Sequence, residues 1–415
     1  MVTAAAAAAS MDMGWEFDNE KQEWEKEFKS GGIEACRTML ERKRDEWKTV
    51  PLNVAVIGGS CVGKSSFINA IRRLTADDKG AAALGVKECT ITSYPHPNNP
   101  LLMFWDLPGV GTDIFPRATY LTDIDVDHYD FFLLITAHGF TENDTWLGNE
   151  LGKRNKKYFF VRTKVAKDIA NNKKAHPKMH SEEKVITEIR ESTEKHLRAS
   201  GCEDVPVFLI DSYKPWKFQF NELEHHLIEE FPKIKKRALI LSLHATSKEM
   251  IQRKVAELRS QMWKLALCSG GVAAIPLPGL SMSFDLTILG VEARLYFNQL
   301  GLDEVSLKRY AKLTCTDHEQ LQAIVCKHLG FKVISVEGIK ALIELLLRSA
   351  AVAAEVAEEV GKFIPVNGSV IAAPISFGGT HYSLKLILDK MESVALEVIH
   401  FATESAIAAE ESDDD

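Results

Sequence analysis

The stretch Gly58-Gly59-Ser60-Cys61-Val62-Gly63-Lys64-Ser65 fills every fixed position of the phosphate-binding pattern G-x-x-x-x-G-K-[ST]. Gly58 and Gly63 let backbone N–H groups turn inward around phosphate oxygens. Lys64 adds a positive charge for the β- and γ-phosphates, and the Ser65 hydroxyl can ligate Mg²⁺. The stretch therefore predicts a nucleoside-triphosphate site with a magnesium ion.

The sequence on either side of this loop fits the same interpretation. The apolar run Asn53–Ile57 before the loop is typical of a buried strand, and Ser66–Leu74 after it is typical of a helix. Ser66 then lies in the first turn of a helix whose N-terminus faces the anion. A glycine-rich loop that arises by chance seldom has both flanks of the right type.

Composition limits the class of protein. The chain has 415 residues, 46% of them hydrophobic and 26% charged, which is enough for a buried core and at least two domains. The formal net charge is -8 and there is no long basic cluster, so nucleic acid is not an expected partner. Seven cysteines without Cys-x-x-Cys pairs indicate reduced thiols in a cytoplasmic protein. The N-terminus lacks the features of a signal peptide.

Two windows without charged residues, Leu265–Phe284 and Phe363–Leu384, are long enough to cross a membrane. Glycine pairs and prolines interrupt both windows. We therefore interpret each window as two short buried helices around a turn. A membrane-spanning alternative stays open, because broken helices occur at membrane depth where protein covers them.

The order of apolar patterns predicts the fold class. Apolar or β-branched runs separated by amphipathic stretches predict a doubly wound α/β sheet, with strands at Asn53–Ile57, Leu101–Trp105, Phe131–Thr136, Tyr158–Thr163 and Val205–Ile210. After Phe231 helical periodicity replaces the strand patterns, at Ser247–Leu267, Asp303–Lys312, Asp317–Leu329 and Val336–Phe363.

These patterns predict five regions along the chain. They are a disordered low-complexity N-terminus (1–10), a helical segment (11–49), a nucleotide-binding domain (50–232), a helical domain (233–408) and an acidic tail (409–415). Within the helical domain, Val336–Phe363 is amphipathic, with Leu346 among the apolar residues at helical spacing. Such a stripe is either buried against neighbouring helices or, if it becomes exposed, a membrane anchor.

A second nucleotide motif follows the predicted strand Leu101–Trp105. Asp106 ends this apolar run in Asp106-Leu107-Pro108-Gly109, where a carboxylate can hold Mg²⁺ through water and the Gly109 N–H can contact the γ-phosphate. Thr90 and Thr92 lie between the two motifs, and one of them is expected to ligate Mg²⁺ in the triphosphate state. We favour Thr90, with a surface strand residue as the alternative.

The expected base-recognition motif is incomplete. The usual pattern [NT]-K-x-D matches Thr163 and Lys164, but Ala166 stands where the aspartate would accept hydrogen bonds from guanine. The loss of such a charge-assisted bond costs roughly 1.5–3 kcal/mol. Asp168 lies two residues later and would reach the base only if the loop shifts. Ser212, at the end of another predicted strand, is a candidate for a backbone contact to the base.

Together these motifs resemble the immunity-related GTPases, the interferon-inducible vertebrate family. The resemblance rests on the phosphate loop, on Glu88-Cys89-Thr90, and on Phe104-Trp105-Asp106-Leu107-Pro108-Gly109-Val110-Gly111. It extends to Phe159–Lys164 and to Pro276-Leu277-Pro278-Gly279-Leu280-Ser281. It covers about residues 15–400.

The resemblance implies a dynamin-like protein in which a P-loop (Ras-like) domain is joined to a helical domain built from N- and C-terminal segments. It also implies that the protein binds GTP and GDP, assembles with itself and with related GTPases, and associates peripherally with intracellular membranes in cell-autonomous defence. The family's switch glutamate maps onto Glu88, its magnesium threonine onto Thr90 and its base-contacting lysine onto Lys164. Its base-recognising aspartate maps onto Ala166.

Catalysis has few candidate residues. Val110 stands where small signalling GTPases have a water-orienting glutamine, so hydrolysis by that route is expected to be slow. The resemblance implies that two nucleotide domains meet and that Glu88 takes part, with Lys64 stabilising charge on the phosphates. Glu88 as an ordinary exposed residue, a non-catalytic regulatory protein and an adenine-nucleotide enzyme are the alternatives.

Overall fold

The structure, a computed structural model, describes residues 46–84, 90–202, 204–273, 280–330 and 372–413, with scattered positions between 22 and 45. These residues form two compact units. One is Trp47–Ser247, and the other holds the described residues up to Glu46 and from Lys248 onward. Glu88 and the predicted helix Val336–Phe363 lie outside the described residues.

A sheet of six strands forms the centre of the Trp47–Ser247 unit. The strands are β1 (Leu52–Ile57), β2 (Thr92–His96), β3 (Asn99–Leu107), β4 (Phe131–Thr136), β5 (Tyr158–Arg162) and β6 (Val207–Leu209). Their order in the sheet is β2-β3-β1-β4-β5-β6. β2 runs antiparallel to β3, and all other neighbours are parallel. The carboxyl ends of β1, β3, β4, β5 and β6 therefore share one edge, where open α/β sheets bind ligands.

Burial explains why these segments form strands. All six residues of β4 are buried, as are five of the six in β1, because helices cover both faces of a parallel sheet. The predicted alternation of strands and helices is confirmed. β2 was not predicted as a strand.

Seven helices belong to this unit: α1 (Lys64–Ile71), α2 (Tyr120–Asp123), α3 (Glu142–Lys153), α4 (Val165–Ala175), α5 (Glu182–Ala199), α6 (Phe220–Glu229) and α7 (Lys233–Ser242), among its described residues. α7 carries the unit past the expected boundary at 232, to Ser247. Its Ala238 and Leu239 are fully buried, and the Asn99 side-chain amide donates to Ser242 Oγ at 2.9 Å.

The second unit is helical. It contains α8 (Lys248–Ala273), α9 (Leu280–Gln299), α10 (Glu304–Thr314), α11 (His318–Leu329) and α12 (Ala372–Asp413). Asp303 and Asp317 cap α10 and α11 by accepting bonds from backbone N–H groups of the first turn. The predicted fold class, a P-loop-type α/β domain with a separate helical domain, is confirmed.

The two uncharged windows differ from expectation where they are described. They contribute to long helices, since α8 has 26 residues and α12 has 42, so the expectation of short helices is wrong. α12 tolerates Pro374 because this residue lies in the first turn, where backbone N–H groups have no intrahelical acceptor. In the part of the chain that the structure describes, no helix meets the length and apolarity needed to cross a membrane.

Candidate functional site

The phosphate loop connects the end of β1 to the start of α1. Gly63 takes the left-handed φ of +100° that reverses the chain before Lys64 begins the helix. The Phe67 N–H donates to the Gly63 carbonyl at 2.8 Å, which closes the first turn. The first N–H groups of α1 therefore point out of the carboxyl edge of the sheet, as an anion site requires.

Two other glycines are required by close backbone approach. A Cβ on Gly58 would lie 2.2 Å from the Ile135 carbonyl oxygen, and a Cβ on Gly109 would lie 3.0 Å from the Gly58 carbonyl oxygen. Gly109, which follows Asp106 in the second motif, thus lies against the phosphate loop. The two motifs predicted from the sequence lie together in the structure.

Lys64 lies over its own loop. Its ammonium donates to the carbonyls of Gly58 and Gly59 at 3.0 and 3.2 Å and lies 3.8 Å from the Asp106 carboxylate. Burial lowers the pKa of Lys64 from 10.5, and Asp106 opposes this shift without cancelling it. The ammonium is thus partly desolvated, which strengthens its attraction to an anion.

Ser65 and Asp106 form the candidate magnesium site. Ser65 Oγ donates to Asp106 Oδ2 at 3.1 Å, so a hydroxyl and a carboxylate, both hard oxygen donors that suit Mg²⁺, lie together. The described residues contain no group of three or more His, Cys, Asp or Glu side chains that could hold a metal. These two donors therefore fit an ion that takes its remaining ligands from phosphate and water.

The two candidate threonines differ in position. Thr92 pairs with Asp106 across β2 and β3, whereas Thr90 is exposed and precedes β2. The sequence favoured Thr90. The strand register makes Thr92 a second candidate, because its backbone lies beside Asp106 of β3.

The motif after β5 contacts the phosphate loop directly. Thr163 Oγ1 donates to the Val62 carbonyl at 2.6 Å, and Lys164 Nζ donates to the Cys61 carbonyl at 2.7 Å. Lys164 itself has a left-handed φ of 60° at the start of α4. Thr163 and Lys164 therefore hold the phosphate loop by its carbonyls.

Asp168 lies in an ion pair. The Arg162 guanidinium donates to Asp168 Oδ2, and the Arg162 side chain is only 5% exposed. Sequence patterns missed this pair, which gives Asp168 a structural partner at the end of β5. Ala166, between Lys164 and Asp168 in the chain, offers a methyl group where the pattern has a carboxylate.

The loop after β6 lies beside the start of α4, since the Val165 N–H donates to the Ile210 carbonyl at 3.3 Å. The buried Asp211 side chain accepts the Tyr213 N–H at 2.9 Å. Ser212 Oγ is buried and has no hydrogen-bond partner among the described residues. The Tyr213 hydroxyl lies 3.4 Å from Ser66 Oγ, so this loop reaches the first turn of α1.

We call residues 58–66 with Asp106 and Gly109 the phosphate side of the site. Residues 162–168 with 211–214 are the base side. The structure brings every described candidate residue to these two neighbouring regions except Thr90, which stands apart at an exposed bend.

Val110, beside Gly109, points away from the site. It is 8% exposed and belongs to the apolar cluster that includes Tyr120, Phe132 and Leu147. The Asn143 side-chain amide donates to the Val110 carbonyl at 3.2 Å. The position that a water-orienting residue would occupy therefore supplies core packing.

The far end of α1 is held by a buried cluster. Arg73, 1% exposed and at a left-handed φ of 52°, donates through Nη2 to both carboxylate oxygens of Glu224 at 3.0 and 3.1 Å and to Thr246 Oγ1 at 2.7 Å. Glu224 is also 1% exposed. Sequence patterns did not predict this cluster, because its members are up to 173 residues apart.

Comparisons with known proteins agree with the motifs. The family model "Interferon-inducible GTPase (IIGP)" matches residues 19–373. "Interferon-inducible GTPase 5" of Rattus norvegicus is 35% identical over 373 residues, which are 89% of this chain and 80% of that protein. "Interferon-inducible GTPase 1" of Mus musculus is 33% identical over 307 residues, 74% of each chain.

A solved structure, "Crystal structure of a probable GTP-binding protein engB", is 16% identical and covers 43% of this chain and 97% of that one, with a TM-score of 0.28. That score is too low to transfer any detail. The extent and identity of the sequence matches are sufficient to assign the family. This chain belongs to the interferon-inducible GTPase (IIGP) family.

Proposed function

We propose that the chain binds GTP and GDP with Mg²⁺ at the carboxyl edge of its sheet and slowly hydrolyses GTP. The observation that carries this proposal is the meeting of Lys64, Ser65 and Asp106 within hydrogen-bonding or ion-pair distance at the N-terminus of α1. A desolvated cation, a metal-binding oxygen pair and free helix N–H groups together suit a triphosphate.

Each group has a separate role. Lys64 would turn from the loop carbonyls to the β- and γ-phosphates, and Ser65 and Asp106 would hold the magnesium ion. The ion, when bound, neutralises charge on the phosphate oxygens. Gly109 lies against the phosphate loop and would offer its N–H to the γ-phosphate. In this way the segment that contains Gly109 becomes ordered when the γ-phosphate is present.

Hydrolysis by the isolated chain is slow in this proposal, because Val110 packs in the core and orients no water. Activation comes when two nucleotide domains meet, with Glu88 at the contact. We therefore propose self-assembly, and assembly with related GTPases, as part of the cycle. The family suggests a role in cell-autonomous defence.

We further propose that the protein is cytoplasmic and associates peripherally with intracellular membranes. The amphipathic sequence Val336–Phe363 supports this proposal, with apolar residues at helical spacing and few basic residues. Apolar burial, and little attraction to anionic lipid, then drives attachment.

A specific observation favours a second candidate function. Ala166 removes the expected carboxylate, and Asp168 is paired with Arg162. A chain with such a base side is a candidate for a nucleotide-impaired regulatory partner of other family members. In that case GTP turnover is absent at every protein concentration.

Calorimetric titration with GTP, GDP and ATP, followed by turnover at rising protein concentration, tests both candidates. We expect guanine nucleotides to bind and the rate per molecule to rise with concentration. Lys64→Ala is the control, because it lacks the ammonium that is proposed to contact the phosphates. Binding without turnover at any concentration would support the regulatory role, and preference for ATP would contradict a GTPase.

Liposome flotation tests membrane association, with wild type compared to Leu346→Glu. We expect the variant to lose flotation in the presence of GTP, because a carboxylate in the apolar stripe opposes insertion. Thermal unfolding must first show that both proteins are folded. Equal flotation of the two would exclude Val336–Phe363 as the anchor.

A further inference from the structure

The base side lacks the acceptor that distinguishes guanine. Position 166 carries a methyl group, and the neighbouring carboxylate of Asp168 is engaged by a guanidinium that is itself 5% exposed. To turn toward a base, Asp168 would leave the buried Arg162 guanidinium without its charged partner, which is costly. Another contact is therefore needed to hold the base.

Tyr213 is placed to supply that contact. Tyr213 is 70% exposed, although large aromatic residues are usually buried to a greater extent. Its hydroxyl lies 3.4 Å from Ser66 Oγ, one residue after the candidate metal ligand Ser65. The hydroxyl of this base-side residue therefore reaches the first turn of α1.

The backbone around Tyr213 is fixed. Asp211, 6% exposed, accepts the Tyr213 N–H at 2.9 Å, and the Lys214 N–H donates to the Asp211 carbonyl at 3.3 Å. Lys164, at the start of α4, also belongs to the base side, and its ammonium donates to the Cys61 carbonyl at 2.7 Å. The two base-side residues thus both reach the phosphate side, Tyr213 at Ser66 and Lys164 at Cys61.

We propose that Tyr213 is the main contact to the base: its ring packs on the base, in place of hydrogen bonds from a carboxylate. This inference rests on the proposed function, because it assumes that triphosphates bind through Lys64. Packing against an aromatic ring accepts any purine face. The site then discriminates weakly among bases and is nearly insensitive to the 2-amino group of guanine.

Titration of Tyr213→Ala and Tyr213→Phe with GTP, ITP and inorganic tripolyphosphate tests this inference. ITP lacks the 2-amino group, and tripolyphosphate lacks base and ribose. We expect Tyr213→Ala to weaken GTP and ITP about five- to tenfold, near the lower end for stacking on a base. Tyr213→Phe keeps the ring and should stay within about twofold of wild type. Tripolyphosphate should bind all three proteins equally.

Ile234→Ala is the matched control. Ile234 is 71% exposed, close to the value for Tyr213, but it lies at the start of α7, where Lys235 pairs with Asp130 at the amino end of β4. It is therefore at the opposite edge of the sheet, and its loss should leave all three affinities unchanged.

Three results would overturn the proposal: unchanged GTP affinity in Tyr213→Ala, an equal loss for tripolyphosphate, or wild-type preference for GTP over ITP of about tenfold or more, as a carboxylate contact would give. If wild type binds none of the three ligands, the proposed function fails as well. If tripolyphosphate and GTP bind and only the Tyr213 effect is missing, the phosphate site stands and this inference alone is wrong.

Discussion

The phosphate side and the base side differ in how closely they keep the nucleotide-binding pattern. On the phosphate side, every fixed position is present and the groups lie within reach of one another: Lys64 with Asp106, and Ser65 with Asp106. On the base side, the carboxylate position is Ala166 and the nearby Asp168 has another partner. If nucleotides bind as proposed, anion binding and base selection should therefore be separable in this chain.

The largest effect is expected from a substitution that removes the cation of the phosphate side. Lys64→Ala should lower GTP affinity at least about 100-fold, because it deletes charge-assisted bonds to two phosphates. Titration calorimetry measures the change, and thermal unfolding confirms that the variant is folded. Unchanged affinity would mean that the loop assignment is wrong and that the comparison has no basis.

The second largest effect is expected from a substitution that restores the missing carboxylate of the base side. Ala166→Asp should raise GTP affinity about tenfold or more, because one recovered charge-assisted bond is worth at least about 1.4 kcal/mol. The gain should be smaller for ITP, which lacks one of the two donors. If GTP binding does not improve, either Asp168 already contacts the base or this pocket cannot use a carboxylate.

The third prediction distinguishes a structural role of Asp168 from a role in binding the base. Asp168→Asn should lower the free energy of unfolding by about 1–2 kcal/mol, a value reduced for the partial exposure of the carboxylate, because Arg162 loses its charged partner. The ratio of GTP to ITP affinity should remain unchanged. Chemical denaturation and titration give the two quantities, and a selective loss of GTP binding would assign Asp168 to the base.

The smallest effect is a pH dependence on the phosphate side. Since burial lowers the pKa of Lys64 from 10.5, the unfolded chain binds more protons in the window between the lowered pKa and 10.5. Without nucleotide, the stability of wild type relative to Lys64→Met should therefore rise with pH across that window. Denaturation midpoints at a series of pH values test this, and a difference that falls with pH would show that the ion pair with Asp106 dominates.

The phosphate side could be predicted from the sequence because its contacts are local. Gly58, Gly63, Lys64 and Ser65 are neighbours in the chain, and Asp106 is identified by its place at the end of an apolar run. The helices predicted at Asp303–Lys312 and Asp317–Leu329 also have local signals, and each prediction begins at the residue that caps the helix.

The contact between Tyr213 and Ser66 and the strand β2 could not be predicted, because both depend on distant residues. Tyr213 meets Ser66 across 147 positions, and no spacing rule connects them. β2 has a proline at position 95 and no alternating apolar pattern, and it forms because β3 offers a free edge for pairing. The Asp168–Arg162 pair spans only six residues. Its prediction, however, requires the exact end of β5 and the exact start of α4, because these boundaries decide whether the two side chains meet.

The buried cluster around Arg73 has a consequence for the other end of α1. If the helix slid along its axis, Arg73 would move away from Glu224 and leave a charge in the interior, which the protein resists strongly. The phosphate loop is continuous with that helix, so its position is fixed when the chain folds. If the nucleotide binds here as proposed, its arrival should require little reordering of the phosphate loop, so little affinity for the phosphates should be lost to ordering.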